Sequence, residues 1–213
     1  MLTLSTLYLG SLIQSSLDNP RSIAEQLRSA LGECSWRLCA SDPVWLRNQV
    51  VAPLTEEVVF RGAMLPMLVP CTAPTTAIFI APLFFGTAHL HHLFEQHGHG
   101  LFFCRFFVAG VQFLYTTVFG VFAAFIFLRT GHVIAPVLCH SFCNSQGLPD
   151  ISSALRHPQP TAVLFSYLMG LLMFLLLLFP STDPFFYGII PAYSLQRKTD
   201  SEAQQTKCKV PSL

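Results

Sequence analysis

Two adjacent acidic residues and an arginine lie within an otherwise apolar stretch, at Glu56, Glu57 and Arg61. Ionised groups are costly in such surroundings, about 2.5–3.5 kcal/mol each at mid-bilayer on insertion scales, so they usually pair or take part in function. On a helix Glu57 and Arg61 are four residues apart and share a face, which allows an ion pair. Glu56 points roughly 100° away from Glu57 and cannot share Arg61 equally well. The spacing predicts a structural ion pair beside a second carboxylate that can do chemistry.

Two further segments carry polar side chains at the same four-residue spacing: Phe85 with His89, and His140 with Asn144. A carboxylate in a poorly solvated site is a candidate general base for water, and a histidine can orient that water. A second histidine with an asparagine one turn away can donate hydrogen bonds to an oxyanion. Ser141 adjoins His140, but neighbours on a helix do not face each other, so the pair does not indicate a nucleophile. The set favours a water-activating hydrolase.

Membrane helices must position these residues, because the composition is that of a membrane protein. Hydrophobic residues make up 52% of the chain and charged residues 11%, against about 25% charged residues in ordinary soluble proteins. The apolar runs 106–128 and 161–179 are long enough to cross a bilayer and carry almost no polar group. The polar side chains of the three patterns lie instead in segments 42–66, 72–94 and 132–148. We predict an all-α, polytopic integral membrane helical bundle whose three polar segments face one shared cavity.

Composition divides the chain into three parts. Residues 1–41 are predicted to form an apolar segment followed by an interfacial helix, residues 42–190 the membrane core, and residues 191–213 a disordered polar tail. A net charge of +1 without a basic run gives no argument for a nucleic acid partner. The seven cysteines include no Cys-x-x-Cys pair and are interpreted as small buried hydrophobes rather than a disulfide framework.

The three polar patterns together resemble the motifs of a known family. Glu-Glu-x-x-x-Arg at 56–61, Phe-x-x-x-His at 85–89 and His-x-x-x-Asn at 140–144 are similar in order and spacing to those of the CAAX prenyl endopeptidases of the Ras-converting type, the eukaryotic type II CAAX proteases. The resemblance covers roughly residues 45–183. It implies a multi-pass enzyme of the endoplasmic reticulum membrane that removes the aaX tripeptide from farnesylated or geranylgeranylated CaaX proteins, such as Ras-type small GTPases.

The same resemblance implies a role for each motif residue and no metal or other cofactor. Glu56 and His89 would activate the hydrolytic water, and His140 and Asn144 would stabilise the oxyanion. Full-length family members carry more N-terminal membrane helices than the run before position 19 supplies, so we expect a chain shortened at its N-terminus. The remaining motif residues would hold the site together: Glu57, Arg61 and Phe85.

Two alternatives stay open at this point. In the first, Glu56, His89 and His140 ligate zinc in an intramembrane metalloprotease, although the His-Glu-x-x-His signature is absent. In the second, the chain is a non-catalytic polytopic membrane protein, a transporter or a scaffold, because a single intramembrane histidine or asparagine more often joins helices than catalyses. No internal repeat of the kind seen in transporters is found in the sequence.

Overall fold

The computed structural model describes residues 2–18, 39–88 and 102–187. Every regular element within these ranges is a helix, which confirms the all-α fold class. Most of the predicted interfacial helix, His89 and the predicted polar tail lie outside the described residues. The boundaries expected at residues 41 and 190 stay predictions.

A long helical run begins at Pro43. The side chain of Asp42 accepts a hydrogen bond from the backbone N–H of Val44 at 2.9 Å, and Pro43 occupies the first helical position. Both features favour a helix N-terminus. From there helical backbone continues through five consecutive parts: α3 (Pro43–Leu46), a π-helical turn (Arg47–Val51), α4 (Ala52–Glu57), a second π-helical turn (Val58–Met64) and α5 (Leu65–Leu68).

The two π-helical turns, called here the first and second wide turns, have backbone hydrogen bonds that span five residues instead of four. In the first, the N–H of Ala52 donates to the carbonyl of Arg47, and the next residue is Pro53. The second repeats this pattern ahead of Pro66. A proline in a helix interior has no N–H and clashes with the carbonyl four residues earlier, so a locally wider turn accommodates it. The helix therefore accommodates Pro53 with a wide turn.

Contacts divide the chain into two compact units. The first unit comprises residues 1–54 and 137–183, and the second comprises residues 55–136 and 184–213.

In the first unit, two short N-terminal helices, α1 (Leu2–Leu7) and α2 (Leu9–Asp18), pack against the long apolar helix α10 (Pro160–Ser181). A buried glutamine, Gln14, joins three helices. It accepts a hydrogen bond from the hydroxyl of Tyr167 at 3.2 Å and donates one to Ser153 of α9 (Ile151–Arg156) at 3.1 Å. Polar side chains of this kind hold membrane helices together.

In the second unit, α6 (Pro74–Ala88) packs against both α5 and α7 (Phe102–Thr130). The three helices share one apolar core in which alanine side chains permit close approach. The buried members of this core are Leu65, Val69, Ala77, Ala81, Ala124 and Leu128.

In the part of the chain that the structure describes, two helices are long and apolar enough to cross a membrane: Phe107–Thr130 within α7, and Pro160–Ser181. The segments predicted as spans at 106–128 and 161–179 are thus each a single apolar helix of sufficient length. The apolar side chains on α10 are largely exposed, with Leu176 at 75%, and an apolar surface of this extent suits lipid better than water. α6 has 15 residues and covers only part of the predicted segment 72–94, whose remainder is not described.

Candidate active site

Glu57 and Arg61 form the expected ion pair. Glu57 ends α4, Arg61 lies in the second wide turn, and the Arg61 Nη1 to Glu57 Oε1 distance is 3.1 Å. The side chains are 0% and 2% exposed, respectively. A buried charge must be compensated within the protein, and here the two opposite charges compensate each other one turn apart.

Two groups from other helices complete the surroundings of Arg61. Its Nη2 donates a hydrogen bond to the backbone carbonyl of Gly120 at 3.3 Å. Its guanidinium carbon lies 4.4 Å from the ring centroid of Phe85, a distance typical of a cation–π interaction. Phe60 packs edge-on against Phe85 at 5.1 Å between centroids. Phe85, identified from sequence as a supporting residue, is thus in direct contact with the arginine.

Glu56 differs from its neighbour in exposure. It is half-buried, whereas Glu57 is fully buried. Its carboxylate also interacts electrostatically with Arg61, but the 3.1 Å ion pair with that arginine is made by Glu57. The unequal sharing of Arg61 that helical spacing predicts is therefore present.

Gly120 is a residue of this cluster that sequence reasoning missed. A Cβ atom at this position would lie 2.8 Å from Cβ of Pro82 and 3.3 Å from Nη2 of Arg61. Only glycine allows α6 and α7 to approach this closely while the arginine reaches the Gly120 carbonyl. The available signal was a small residue within an apolar span, which marks helix crossings in membranes.

His140 and Asn144 lie one turn apart on α8 (Ile134–Gln146), as the spacing predicts. His140 is buried, at 7% exposure, whereas Asn144 is exposed. The Nδ2 atom of Asn144 donates a hydrogen bond to the backbone carbonyl of Asn48, in the first wide turn, at 2.9 Å. Sequence reasoning assigned no role to Asn48, because a backbone acceptor leaves no mark on side-chain patterns.

Further contacts fix α8 within the first unit. The hydroxyl of Ser141 donates to Oε1 of Gln49 at 3.2 Å. At the C-terminal end, the hydroxyl of Tyr8 donates to the carbonyl of Gly147 at 3.2 Å, and the Tyr8 ring packs edge-on against Phe142 at 5.3 Å between centroids. The C-terminal half of the helix that carries His140 and Asn144 is thus held in place.

The motif residues therefore form two groups in different units. The cluster of Glu57, Arg61 and Phe85 belongs with Glu56 to the second unit, and His140 and Asn144 belong to the first. Because His89 is not among the described residues, the single shared cavity stays a prediction. No group of three His, Cys, Asp or Glu side chains able to hold a metal occurs within 2–18, 39–88 and 102–187. The zinc alternative requires His89, which lies outside the described residues, and it is tested by the effect of a chelator on cleavage.

Comparison with known proteins identifies similar sequences across eukaryotes. A family model described as type II CAAX prenyl endopeptidase Rce1-like matches residues 41–146, a range that contains all three motifs. CAAX prenyl protease 2 of Homo sapiens is 52% identical over 204 residues, which cover 92% of this chain and 61% of that relative. The protein of the same name in Rattus norvegicus is 46% identical over 193 residues, covering 91% of this chain and 56% of the relative.

The similarity includes a plant protein. CAAX prenyl protease 2 of Arabidopsis thaliana is 44% identical over 149 residues, covering 68% of this chain and 46% of the relative. This chain thus spans less than two thirds of the length of each of these three relatives. No solved structure matches the chain.

Proposed function

The chain belongs to the Rce1-like family of type II CAAX prenyl endopeptidases, and on that premise we propose that it removes the aaX tripeptide from isoprenylated CaaX proteins. The substrates would be farnesylated or geranylgeranylated proteins, Ras-type small GTPases among them, and the enzyme would lie in the endoplasmic reticulum membrane. Helices that can cross a bilayer suit such substrates, because a prenyl chain partitions into lipid while the attached peptide stays at the interface.

The observation that carries this proposal is the difference between two adjacent glutamates. Glu57 is fully buried and ion-paired with Arg61, so its carboxylate is committed to the fold. Glu56 is half-buried and also interacts electrostatically with the same arginine. A general base must be reachable by water, and of the two residues only Glu56 is partly exposed, although its Oε2 atom is itself buried.

The proposed reaction is hydrolysis by an activated water. His89 orients the water, Glu56 takes a proton from it, and the oxygen attacks the carbonyl carbon of the prenylated cysteine. His140 and Asn144 donate hydrogen bonds to the resulting oxyanion. When the carbon–nitrogen bond breaks, Glu56 returns the proton to the amine of the departing tripeptide. Three residues keep the helix of Glu56 in place: Glu57, Arg61 and Phe85.

A cleavage assay on the purified full chain tests the proposal. The chain is reconstituted in liposomes with a farnesylated CaaX peptide, and release of the tripeptide is measured with and without a strong chelator. We expect release that survives the chelator and requires the prenyl group, with the unprenylated peptide as control. Loss of cleavage on chelation would favour the zinc alternative, and absence of cleavage under all conditions would contradict the proposed activity of this chain.

A further inference from the structure

The first wide turn changes what the backbone carbonyl of Asn48 can bind. In an α-helix this carbonyl would accept the N–H of Ala52, four residues on, but that N–H donates to Arg47 instead. In a continued π-helix it would accept the N–H of residue 53, which is a proline and has none. Polar backbone groups in folded proteins are nearly always paired. The Asn48 carbonyl is therefore open to a donor from another element.

Asn144 supplies that donor across 96 residues of sequence, with its Nδ2 atom 2.9 Å from the carbonyl oxygen of Asn48. A side-chain amide has two N–H donors and one oxygen acceptor. Because a carbonyl can only accept, the amide must present its nitrogen to Asn48, and this removes the usual ambiguity between amide oxygen and nitrogen. The amide group is planar, so a bond through one N–H also fixes the direction of the other.

We propose that Pro53 is a positioning residue for the oxyanion donor. By withholding a backbone N–H from the helix, Pro53 leaves the Asn48 carbonyl to bind one N–H of Asn144, and this bond aims the second N–H at the oxyanion. The inference rests on the proposed function for the role of Asn144. The contact itself is independent of that function, so the two can be tested apart.

A second hydrogen bond between the same two elements provides a matched control. The Ser141 hydroxyl donates to Oε1 of Gln49 at 3.2 Å, and this bond joins α8 to the first wide turn without involving the Asn144 amide. Ser141→Ala therefore removes a docking contact and leaves the acceptor of Asn144 unchanged. If the contact between α8 and the first wide turn only held the two elements together, Ser141→Ala and the substitutions at Pro53 should have equal effects on the cleavage rate.

The contact is tested by selective isotope labelling of the full chain in detergent. The sequence contains three asparagines, Asn19, Asn48 and Asn144, so ¹⁵N-asparagine labelling yields three side-chain amide signals, and the one lost in Asn144→Ala is assigned. We expect one Asn144 amide proton to be protected from solvent exchange. Pro53→Ala and Pro53→Val both restore a backbone N–H, and each should remove this protection, whereas Ser141→Ala should not.

Two Pro53 variants are used because Pro53 is fully buried. Valine is close to proline in volume, whereas alanine leaves a gap, so an effect common to both reports the restored N–H rather than a cavity. Thermal unfolding of each variant establishes that it is folded. If the Asn144 amide signal is unchanged in the folded Pro53 variants, the inference is overturned whatever the activity.

Kinetics on the prenylated peptide test the consequence for catalysis. We expect the Pro53 variants to lower kcat by about fivefold, the factor that a typical neutral hydrogen bond is worth, with KM unchanged. In an Asn144→Ala background they should cause no further loss, because their effect acts through Asn144. A moved amide signal with unchanged kcat overturns the positioning role. If wild type does not cleave but the amide signal responds as expected, the proposed function fails while the contact stands.

Discussion

The cluster around Arg61 and the amide of Asn144 both place polar groups beside apolar helices. The two regions compensate these polar groups in different ways. Arg61 is fully buried, and its charge is met within its own unit by the carboxylate of Glu57 and by the ring of Phe85. Asn144 is exposed, carries no charge and is held through one N–H by a backbone carbonyl. The first arrangement compensates a buried charge with an opposite charge, whereas the second uses one N–H of a neutral amide and leaves the other as a donor.

Because of this difference, mutations in the Arg61 cluster should lower stability, whereas mutation of Asn144 should lower the rate of cleavage. Removing one partner from a buried ionic cluster leaves the other partner buried and uncompensated, so the protein should lose stability. Removing an exposed amide leaves no buried charge behind, so the protein should stay folded and lose only rate. Glu56, half-buried beside the cluster, should follow the second pattern although it adjoins Glu57 in sequence.

The largest effect on rate is expected at Glu56. Glu56→Ala removes the proposed general base and should lower cleavage of a prenylated peptide by about 10²–10⁴-fold, the usual contribution of such a group, while the melting temperature in detergent stays near that of wild type. His89→Ala should lower the rate similarly. A Glu56→Ala variant with wild-type turnover would falsify the general-base assignment.

The largest effect on stability is expected at Arg61. Arg61→Ala leaves Glu57 buried without its charge partner, and breaking a buried pair from one side typically costs about 3–5 kcal/mol. Both the amount of protein in the membrane and the cleavage rate should fall. Thermal unfolding in detergent measures the loss, and a variant that melts like wild type would contradict the structural role of the pair.

A double variant tests the structural role of the same ion pair more directly. Glu57→Gln combined with Arg61→Met removes both charges at once, so no unmatched charge remains and much of the lost stability should return. Activity need not return with it, because Glu57 adjoins Glu56. Melting temperatures of the single and double variants give the coupling between the two side chains, and additive losses would show that they do not interact.

Asn144→Ala should behave in the opposite way to Arg61→Ala. Loss of an oxyanion donor costs about 2.7–4 kcal/mol of transition-state stabilisation in hydrolases, so kcat should fall by about 10²–10³-fold with little change in KM or melting temperature. His140→Ala should act alike, and the two losses should be non-additive if both residues serve one oxyanion. A change confined to KM would instead make Asn144 a substrate-binding residue.

The smallest of these effects concerns two glycines on α7. Gly120→Ala places a Cβ against Pro82 and Arg61, and overpacking of this kind typically costs about 1–3 kcal/mol. Gly110→Ala is the matched control, because nothing lies within 4 Å of a Cβ built there. Melting in detergent should separate the two variants. Equal behaviour would show that the close approach at Gly120 does not support the arginine cluster.

The sequence by itself determined the features that depend on neighbours within about one helical turn. Asp42 and Pro43 mark a helix start, and Glu57 and Arg61 share a helical face, because hydrogen bonds and side-chain contacts of a helix recur every three to four residues. The apolar runs that form the helices Phe107–Thr130 and Pro160–Ser181 could also be recognised from the sequence. Long apolar stretches have few other ways to satisfy their backbone groups in a bilayer.

Tertiary structure alone decided the partners that lie far apart in sequence. Arg61 reaches the carbonyl of Gly120, 59 residues away, and Asn144 reaches that of Asn48, 96 residues away. Both acceptors are backbone carbonyls, which every residue possesses, so no side-chain pattern can single them out. Which carbonyl is within reach depends on helix packing and on the wide turn ahead of Pro53, and neither is specified by the periodicity of one helix.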